Sequence, residues 1–163
     1  MVVVPSNEAL QITGPITLSA WVKLSGENKG GAIIDCREEF KINYHLYLHM
    51  KSNTETMEFR RYQATEMEDQ NWSVDLNVPK NTWCMVSVTH DNEVIRYYLN
   101  GELVGMVPYQ FQASQAVNGD LIIGNALFPW ASPFKNDIGE VVILKRAMSL
   151  DEIRQMYLAG RSR

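Results

Sequence analysis

Short apolar stretches alternate with polar turn residues along the chain, and this pattern predicts an all-β protein. Runs rich in Val, Ile, Tyr and Trp recur between Gly, Pro, Asn and Asp, which is typical of strands joined by turns. The predicted strands cover residues 1–5, 16–24, 32–37, 44–51, 57–63, 83–90, 95–99, 102–107, 121–124 and 138–145. Asn100 and Gly101 lie between two of them and predict a type I′ hairpin, because both positions take a positive φ at little cost.

One helix is predicted, and it follows the last strand. The segment 149–152, Ser-Leu-Asp-Glu, has the pattern of a capping box at the start of a helix. Leu150, Ile153 and Tyr157 then repeat at helical spacing, and Gly160 is expected to end the helix. Ten strands and one terminal helix predict a single all-β domain over residues 1–163, built as a two-sheet sandwich with a short C-terminal helix.

Composition and charge exclude several classes of function. The 163 residues are 45% hydrophobic and 21% charged, with a formal net charge of −4, which are ordinary values for a globular protein. No run of Lys and Arg indicates a nucleic-acid partner, and no apolar stretch approaches the roughly 20 residues of a membrane helix. No signal peptide is visible. An extracellular or particle-surface location is favoured if the sequence belongs to a longer chain.

The cysteines and histidines do not predict a metal site. Cys36 and Cys84 lie in apolar, strand-like runs, where two small buried side chains are favoured and a disulfide is the alternative. His45 and His49 are four residues apart, which suits one metal ion on a helix. On a strand that spacing spans about 13 Å, so one ion cannot bridge them.

Four segments, in order along the chain, resemble the jelly-roll domains of the laminin-G-like and concanavalin A-like families. They are the early strand at 16–23, the central hairpin at 83–105, the strand Leu-Ile-Ile-Gly at 121–124, and the closing strand with its Arg-Ala-Met-Ser helix start at 134–149. The resemblance implies a concanavalin A-like sandwich. Such folds serve lectins, carbohydrate-binding modules, adhesion domains, glycosidases and virion proteins, so the resemblance constrains the fold more than the function.

Two departures from the family pattern affect the expected cofactor. The family has an aromatic-Asp-Gly segment before the part that resembles residues 2–5, and the closing strand has Gly139 where the family usually has Asp. Both places contribute to calcium binding in relatives that bind it. Asp137 is a weak substitute, because one carboxylate falls far short of the 6–8 oxygens that calcium takes. We therefore expect no cofactor, with calcium as the alternative.

The sequence favours a non-catalytic protein. Retaining glycosidases need two carboxylates about 5 Å apart, and no predicted strand carries the alternating acidic residues that related glucanases use. The acidic segment 66–69 is interpreted as a solvated loop. No nucleophile elbow or phosphate-binding loop is present.

The strongest candidate binding surface is one face of two neighbouring strands. Leu46 and Leu48 alternate with His45, Tyr47 and His49, so the histidines and the tyrosine face outward if the leucines face the core. By the same reasoning, the next strand contributes Glu58, Arg60 and Tyr62 to that face. Aromatic rings can stack on sugar C–H faces while charged groups take the hydroxyls.

The second candidate surface is the connection 127–134, which holds three aromatic residues and two prolines. Trp130 is either presented to a ligand or tucked against the sandwich, and Phe128 and Asn125 lie near it in sequence. Trp21 and Trp83 are expected to be packing residues. Trp72 has the same two alternatives as Trp130.

Three functional interpretations follow, and the first is favoured. The chain is a lectin-like carbohydrate-binding module. Alternatively, it is a structural or adhesion module, such as part of a surface appendage or virion, that binds a protein partner at its N-terminal edge strand. The third interpretation is a degenerate glycosidase domain.

Overall fold

The computed structural model describes residues 1–25, 30–39, 41–51, 54–62, 72–110, 117–126 and 132–161. Within these residues the chain forms eleven strands, one α-helix and a short 3-10 helix at Glu8–Leu10. The elements are β1 Val2–Val4, β2 Ile16–Lys23, β3 Gly30–Glu38, β4 Lys41–Lys51, β5 Thr54–Tyr62, β6 Ser73–Leu76, β7 Trp83–His90, β8 Val94–Leu99, β9 Glu102–Pro108, β10 Leu121–Ile123, β11 Asp137–Leu144 and α1 Leu150–Gly160.

The strands form two antiparallel sheets. Sheet A has the order β1-β10-β3-β4-β5-β6, and sheet B has the order β11-β2-β7-β8-β9. This arrangement confirms the predicted all-β, two-sheet jelly-roll sandwich with a C-terminal helix. Each predicted strand corresponds to an observed one, with ends displaced by up to three residues. The prediction missed β6, because its four residues, Ser-Val-Asp-Leu, are too short to stand out from the polar sequence around them.

The core lies between the sheets and follows the alternation along the strands. In sheet A the side chains of Leu46, Leu48 and Phe59 are fully buried in the same cluster as Leu18 and Val86 of sheet B. The two cysteines lie in this core on opposite sheets and are free. The alternative of a disulfide between them is therefore not realised.

The hairpin between β8 and β9 has the predicted turn. Leu99 pairs with Glu102, and the two residues between them have φ values of 51° at Asn100 and 83° at Gly101. Asn100 also receives a hydrogen bond from the Met85 amide through its side-chain oxygen, at 2.9 Å. This side chain ties the turn to the neighbouring strand β7.

Helix α1 begins with the predicted capping box and packs on the outer face of sheet B. The Ser149 hydroxyl accepts from the Glu152 amide, and the Glu152 carboxylate accepts from the Ser149 amide at 2.8 Å. Ile153 is fully buried against Met85 and Tyr98. By contrast, Leu150 is exposed.

Helix α1 ends at Gly160, as predicted, but the geometry of its C-terminal cap differs from the expected one. Gly160 is the last helical residue, and Arg161 caps the helix with αR geometry, so a left-handed glycine does not end the helix. A Cβ at Gly160 would lie 2.7 Å from the indole of Trp21. Glycine is therefore required here by close packing. Among the described residues, no helix is long and apolar enough to span a membrane.

Candidate functional site

The predicted face of β4 and β5 forms on the outer side of sheet A. His45 pairs with Arg60 and Tyr47 pairs with Glu58, and side chains directly opposite each other in a sheet share a face. His49 lies on this face as well, within hydrogen-bonding distance of Glu58. The structure thus brings together five of the residues that the alternation predicted. Tyr62 ends β5, and its side chain lies outside the described part of the structure.

Glu58 is the centre of a cluster in which it forms an ion pair with Arg60 and a hydrogen bond with His49. Its Oε1 lies 2.6 Å from Arg60 Nε, and its Oε2 lies 3.1 Å from both Arg60 Nη2 and His49 Nε2. Burial alone would raise the pKa of Glu58, but the hydrogen bond with His49 and the Arg60 charge outweigh it and hold that pKa at about 2. The side chains of His49 and Arg60 are 42% and 43% exposed, so this cluster is open to a ligand.

A second, buried cluster lies beside it and was missed by sequence reasoning. The carboxylate of Asp35 on β3 accepts hydrogen bonds from Arg37 Nε at 2.8 and 2.7 Å and lies 2.8 Å from His45 Nδ1. Burial acts to raise the pKa of Asp35, and its contacts with His45 and Arg37 overcome this and lower the pKa. The sequence Ile34-Asp35-Cys36-Arg37 held a usable signal. Since Ile34 and Cys36 face the core, the alternation places Asp35 and Arg37 on the outer side of the strand.

Tyr47 joins the two clusters, but its ring is not a platform for a ligand. The ring stacks on His45 at 5.4 Å and on His49 at 4.2 Å between centroids. It also packs with Ala32 and Ala126 and is only 9% exposed. The expectation that Tyr47 and His45 offer open rings is therefore wrong, because neighbouring side chains cover them. Tyr47 instead supports the exposed ring of His49.

The flanks of the predicted aromatic loop lie beside this same face. Ala126 packs with Tyr47 and Ala32, and the Ser132 carbonyl accepts from the Ala32 amide at 3.1 Å. Phe128 and Trp130 lie outside the described residues, as does the acidic segment 66–69.

The remaining candidates take different positions. The side-chain oxygen of Asn125 accepts from the Ala126 amide at 2.9 Å. Asp137 begins β11 in sheet B, where it pairs with Lys23. In the part of the chain that the structure describes, no group of three or more His, Cys, Asp or Glu residues is placed to hold a metal ion.

The structure decides the roles of two tryptophans. Trp72 is buried and lies 4.9 Å from Tyr109 between ring centroids, so the tucked alternative is correct. Trp83 is 44% exposed at the start of β7, and the expectation of a packing role for it is wrong. The first position of the strand lies at the margin of the sheet, where the helix does not bury the ring fully.

The fold and the family comparison agree on the class of protein, a lectin-type β-sandwich. Residues 1–154 match the family described as the concanavalin A-like lectin/glucanases superfamily, and the chain belongs to that family. A sequence search of curated proteins finds no match for the chain.

Several solved structures share this fold. A native heptameric SAP-like pentraxin from Limulus polyphemus superposes with a TM-score of 0.69 at 12% identity, covering 94% of this chain and 79% of the pentraxin chain. Domain 4 of an extracellular GH43 arabinanase from Geobacillus stearothermophilus, solved with arabinotriose, gives 0.67 at 16% identity, with coverages of 95% and 71%. A structure of botulinum neurotoxin type C gives 0.66 at 17% identity, with 96% of this chain matching 39% of that one. At these identities the likeness shows the fold alone.

Proposed function

We propose that the protein is a non-catalytic, lectin-like carbohydrate-binding module, with its ligand on the outer face of sheet A at His49, Glu58 and Arg60. The observation that carries the proposal is the exposed cluster around Glu58, held on two paired strands of a lectin-type sandwich. Strand pairing, the Glu58–Arg60 ion pair and the Glu58–His49 hydrogen bond hold these side chains in place before a ligand arrives, which lowers the entropy cost of binding.

The cluster offers complementary chemistry to sugar hydroxyls. The ionised carboxylate of Glu58 accepts hydrogen bonds, and the guanidinium of Arg60 donates them in a planar fork. The exposed ring of His49, supported from behind by Tyr47, provides a flat surface for a sugar ring. A shallow site of this kind binds weakly, because much of the ligand stays in contact with water.

The neighbours supply the first probes. The arabinanase domain was solved with arabinotriose, and entry of the neurotoxin into cells depends on interaction with two ganglioside molecules. Arabinan fragments and sialylated oligosaccharides are therefore the first glycans to test. Asn125, Tyr62, Phe128 and Trp130 are proposed as further ligand contacts.

The state of the carboxylates supports the absence of catalysis at this face. A glycosidase general acid needs a raised pKa, whereas the pKa values of Asp35 and Glu58 are both lowered. The two residues lie two strands apart and are offset along the strands. Their Cα atoms are therefore separated by roughly 12 Å, from strand spacing and rise, and each carboxylate is held by its own Arg and His partners.

A glycan array with matched variants tests the proposal. We expect specific binding by the wild type, a loss of at least tenfold in Arg60→Ala, and no change in Arg154→Ala. Arg154 is a suitable control because it makes an exposed ion pair with Glu102. It lies on helix α1, which packs on sheet B, whereas the proposed site is on sheet A. Each array is run with calcium and with a chelator, and we expect equal signals because the proposed site uses no metal.

The outcomes separate the parts of the proposal. A blank array would overturn the carbohydrate-binding function. Specific binding that survives in folded Arg60→Ala protein would overturn the position of the site. Binding that disappears with the chelator would establish a calcium requirement against our expectation. Circular dichroism of each variant confirms that the sandwich is intact.

A second candidate function, assembly with a protein partner, is favoured by β1. This strand is last in the order of sheet A, and the side chains of Val2 and Val3 are exposed. Edge strands with exposed apolar residues can pair with another chain. Light scattering at increasing protein concentration tests self-assembly, and Val3→Lys should reverse it. A strict monomer at all concentrations would argue against assembly with a second copy.

A further inference from the structure

A cleft of about 570 Å³ opens on the outer face of sheet B, beside the C-terminal end of helix α1. It lies on the other sheet from the His49–Glu58–Arg60 cluster. Its volume falls in the usual range for small-ligand sites. Among the described residues, six side chains that can contact a ligand line it: Trp21, Thr82, Trp83, Glu140, Tyr157 and Arg161.

The aromatic rings of the cleft combine one exposed indole with one that is held in place. Trp83 is 44% exposed, although every other residue of β7 is buried. Trp21 stacks on Tyr157 of the helix, with centroids 5.7 Å apart and planes 21° from parallel. A large indole surface in contact with water is costly, so a ring that covers Trp83 would gain the burial that folding leaves incomplete.

A β-bulge shapes the floor of the cleft. The register of β11 against β2 shifts between Ile138 and Val141, so that Gly139 and Glu140 together oppose Trp21. Bulges redirect side chains and occur frequently beside functional sites. Here the extra residue interrupts the regular alternation of β11 beside the cleft that Glu140 lines.

Gly139 keeps the space between the two indoles open. Its φ lies outside the left-handed region, so the backbone does not require glycine. A Cβ at this position would lie 3.3 Å from Trp21 Cβ and 3.4 Å from Trp83 Cζ3. A larger side chain would therefore occupy the gap between the rings.

We infer that this cleft is a second saccharide site, in which a sugar ring stacks on Trp83 and its hydroxyls bond to the polar groups of the wall. Glu140 supplies a carboxylate, Arg161 a guanidinium and Thr82 a hydroxyl, and sugar hydroxyls both donate and accept. A simple ion would meet a group of its own charge, and a purely apolar ligand would shield both charged groups from water. This inference rests on the proposed carbohydrate-binding function and makes the domain bivalent.

NMR titration tests the second site separately from the first. The ¹⁵N-labelled protein is titrated separately with cellotriose, maltotriose and tri-N-acetylchitotriose. The final concentration of each is about 50 mM, roughly ten times the dissociation constant of a weak site. The indole N–H signals are assigned by Trp→Phe substitution. We expect at least one trisaccharide to shift the Trp83 indole signal saturably in the wild type.

Variants then locate the binding. Two variants should each weaken binding at the cleft at least tenfold. Trp83→Ala removes the stacking ring, and its binding is followed through the Trp21 indole signal. Gly139→Val fills the gap between the rings. Met106→Ala, an exposed apolar residue on β9 at the other edge of the sheet, should change it less than twofold. Shifts confined to residues around His49 and Arg60 would overturn the second site and leave the proposed function standing. The absence of a saturable shift on either sheet would overturn the second site. If the glycan array were also blank, the proposed carbohydrate-binding function would be overturned too.

Discussion

Arg61 shows how a single charged residue can belong to the core of this sandwich. It alternates with its neighbours on β5 so that its side chain faces inward, and it is the largest fully buried side chain among the described residues. Its guanidinium donates to the backbone carbonyls of Ile12 at 2.6 Å, Gly14 at 2.7 Å and Asn43 at 3.3 Å. Burial lowers the pKa of Arg61 to about 10, which leaves it charged at neutral pH. The residue thus connects the segment before β2 to sheet A.

Replacing Arg61 should destabilise the fold strongly. Arg61→Met keeps most of the volume and leaves three carbonyls without these donors, so we expect a loss of about 3 kcal/mol in the free energy of unfolding. Urea denaturation measures it. Arg154→Met, which breaks an exposed ion pair, is the control and should cost less than about 1 kcal/mol. Similar losses in the two variants would contradict the role assigned to Arg61.

The β8–β9 hairpin is the element whose sequence and structure agree most closely. Its turn needs a positive φ at two successive residues, and Gly101 meets that need while leaving room for helix α1. A Cβ at Gly101 would lie 3.2 Å from both Arg154 Cα and Tyr157 Cβ. The turn is therefore restricted by its own backbone and also by the helix that packs against it.

Gly101→Ala should destabilise the protein for both reasons. We expect a cost of about 2 kcal/mol from the left-handed backbone and the crowded Cβ, measured as a lowered midpoint of thermal unfolding. Gly14→Ala is a matched control, because nothing lies within 4 Å of a Cβ at that position. An equal fall in both midpoints would show that the hairpin geometry does not carry the effect.

At the scale of the whole molecule, lowered pKa values make the folded state sensitive to acid, and His90 and Glu58 represent the two pH ranges concerned. Burial lowers the pKa of His90 from 6.5 to about 4, although its bond with the Tyr109 carbonyl opposes the shift. The unfolded chain then binds more protons than the folded chain between these two values. The pKa of Glu58 is lowered from 4.5 to about 2, so its stabilising contribution is present above pH 4.5 and is lost as the pH falls toward 2.

Stability should therefore fall steadily on acidification, first through His90 below about pH 6.5 and then through Glu58 and the other carboxylates with lowered pKa values below about pH 4.5. The pKa shifts of His90 and Glu58 each correspond to about 3 kcal/mol as an order of magnitude. Urea denaturation at a series of pH values measures the slope. His90→Gln should reduce the dependence of the free energy of unfolding on pH between pH 6.5 and 4. It should leave the decrease below pH 4 unchanged. If the free energy of unfolding of the variant and of the wild type depended on pH in the same way, His90 would be ruled out as the source of the decrease between pH 6.5 and 4.

Alternation along the strands predicted which residues of the candidate site share a face, but not which of them are exposed. The period of two along β4 and β5 placed His49, Glu58 and Arg60 on one face, because side-chain direction in a strand is a local property of the chain. That rule says nothing about what covers the face. Tyr47 proved buried because residues distant in sequence, Ala32 and Ala126, pack against it.

The sequence by itself determined ten of the eleven described strands, the hairpin turn, the capping box and the sides of β4 and β5 that face the core. These features depend on residues that are close together in the chain, whose propensities and spacing carry the information. The tertiary structure decided which strands are neighbours, and it therefore decided that Asp35 meets His45 and that Trp83 stays open beside the helix. Such contacts depend on long-range pairing and packing, whose register is set by the burial of the entire core rather than by any single segment.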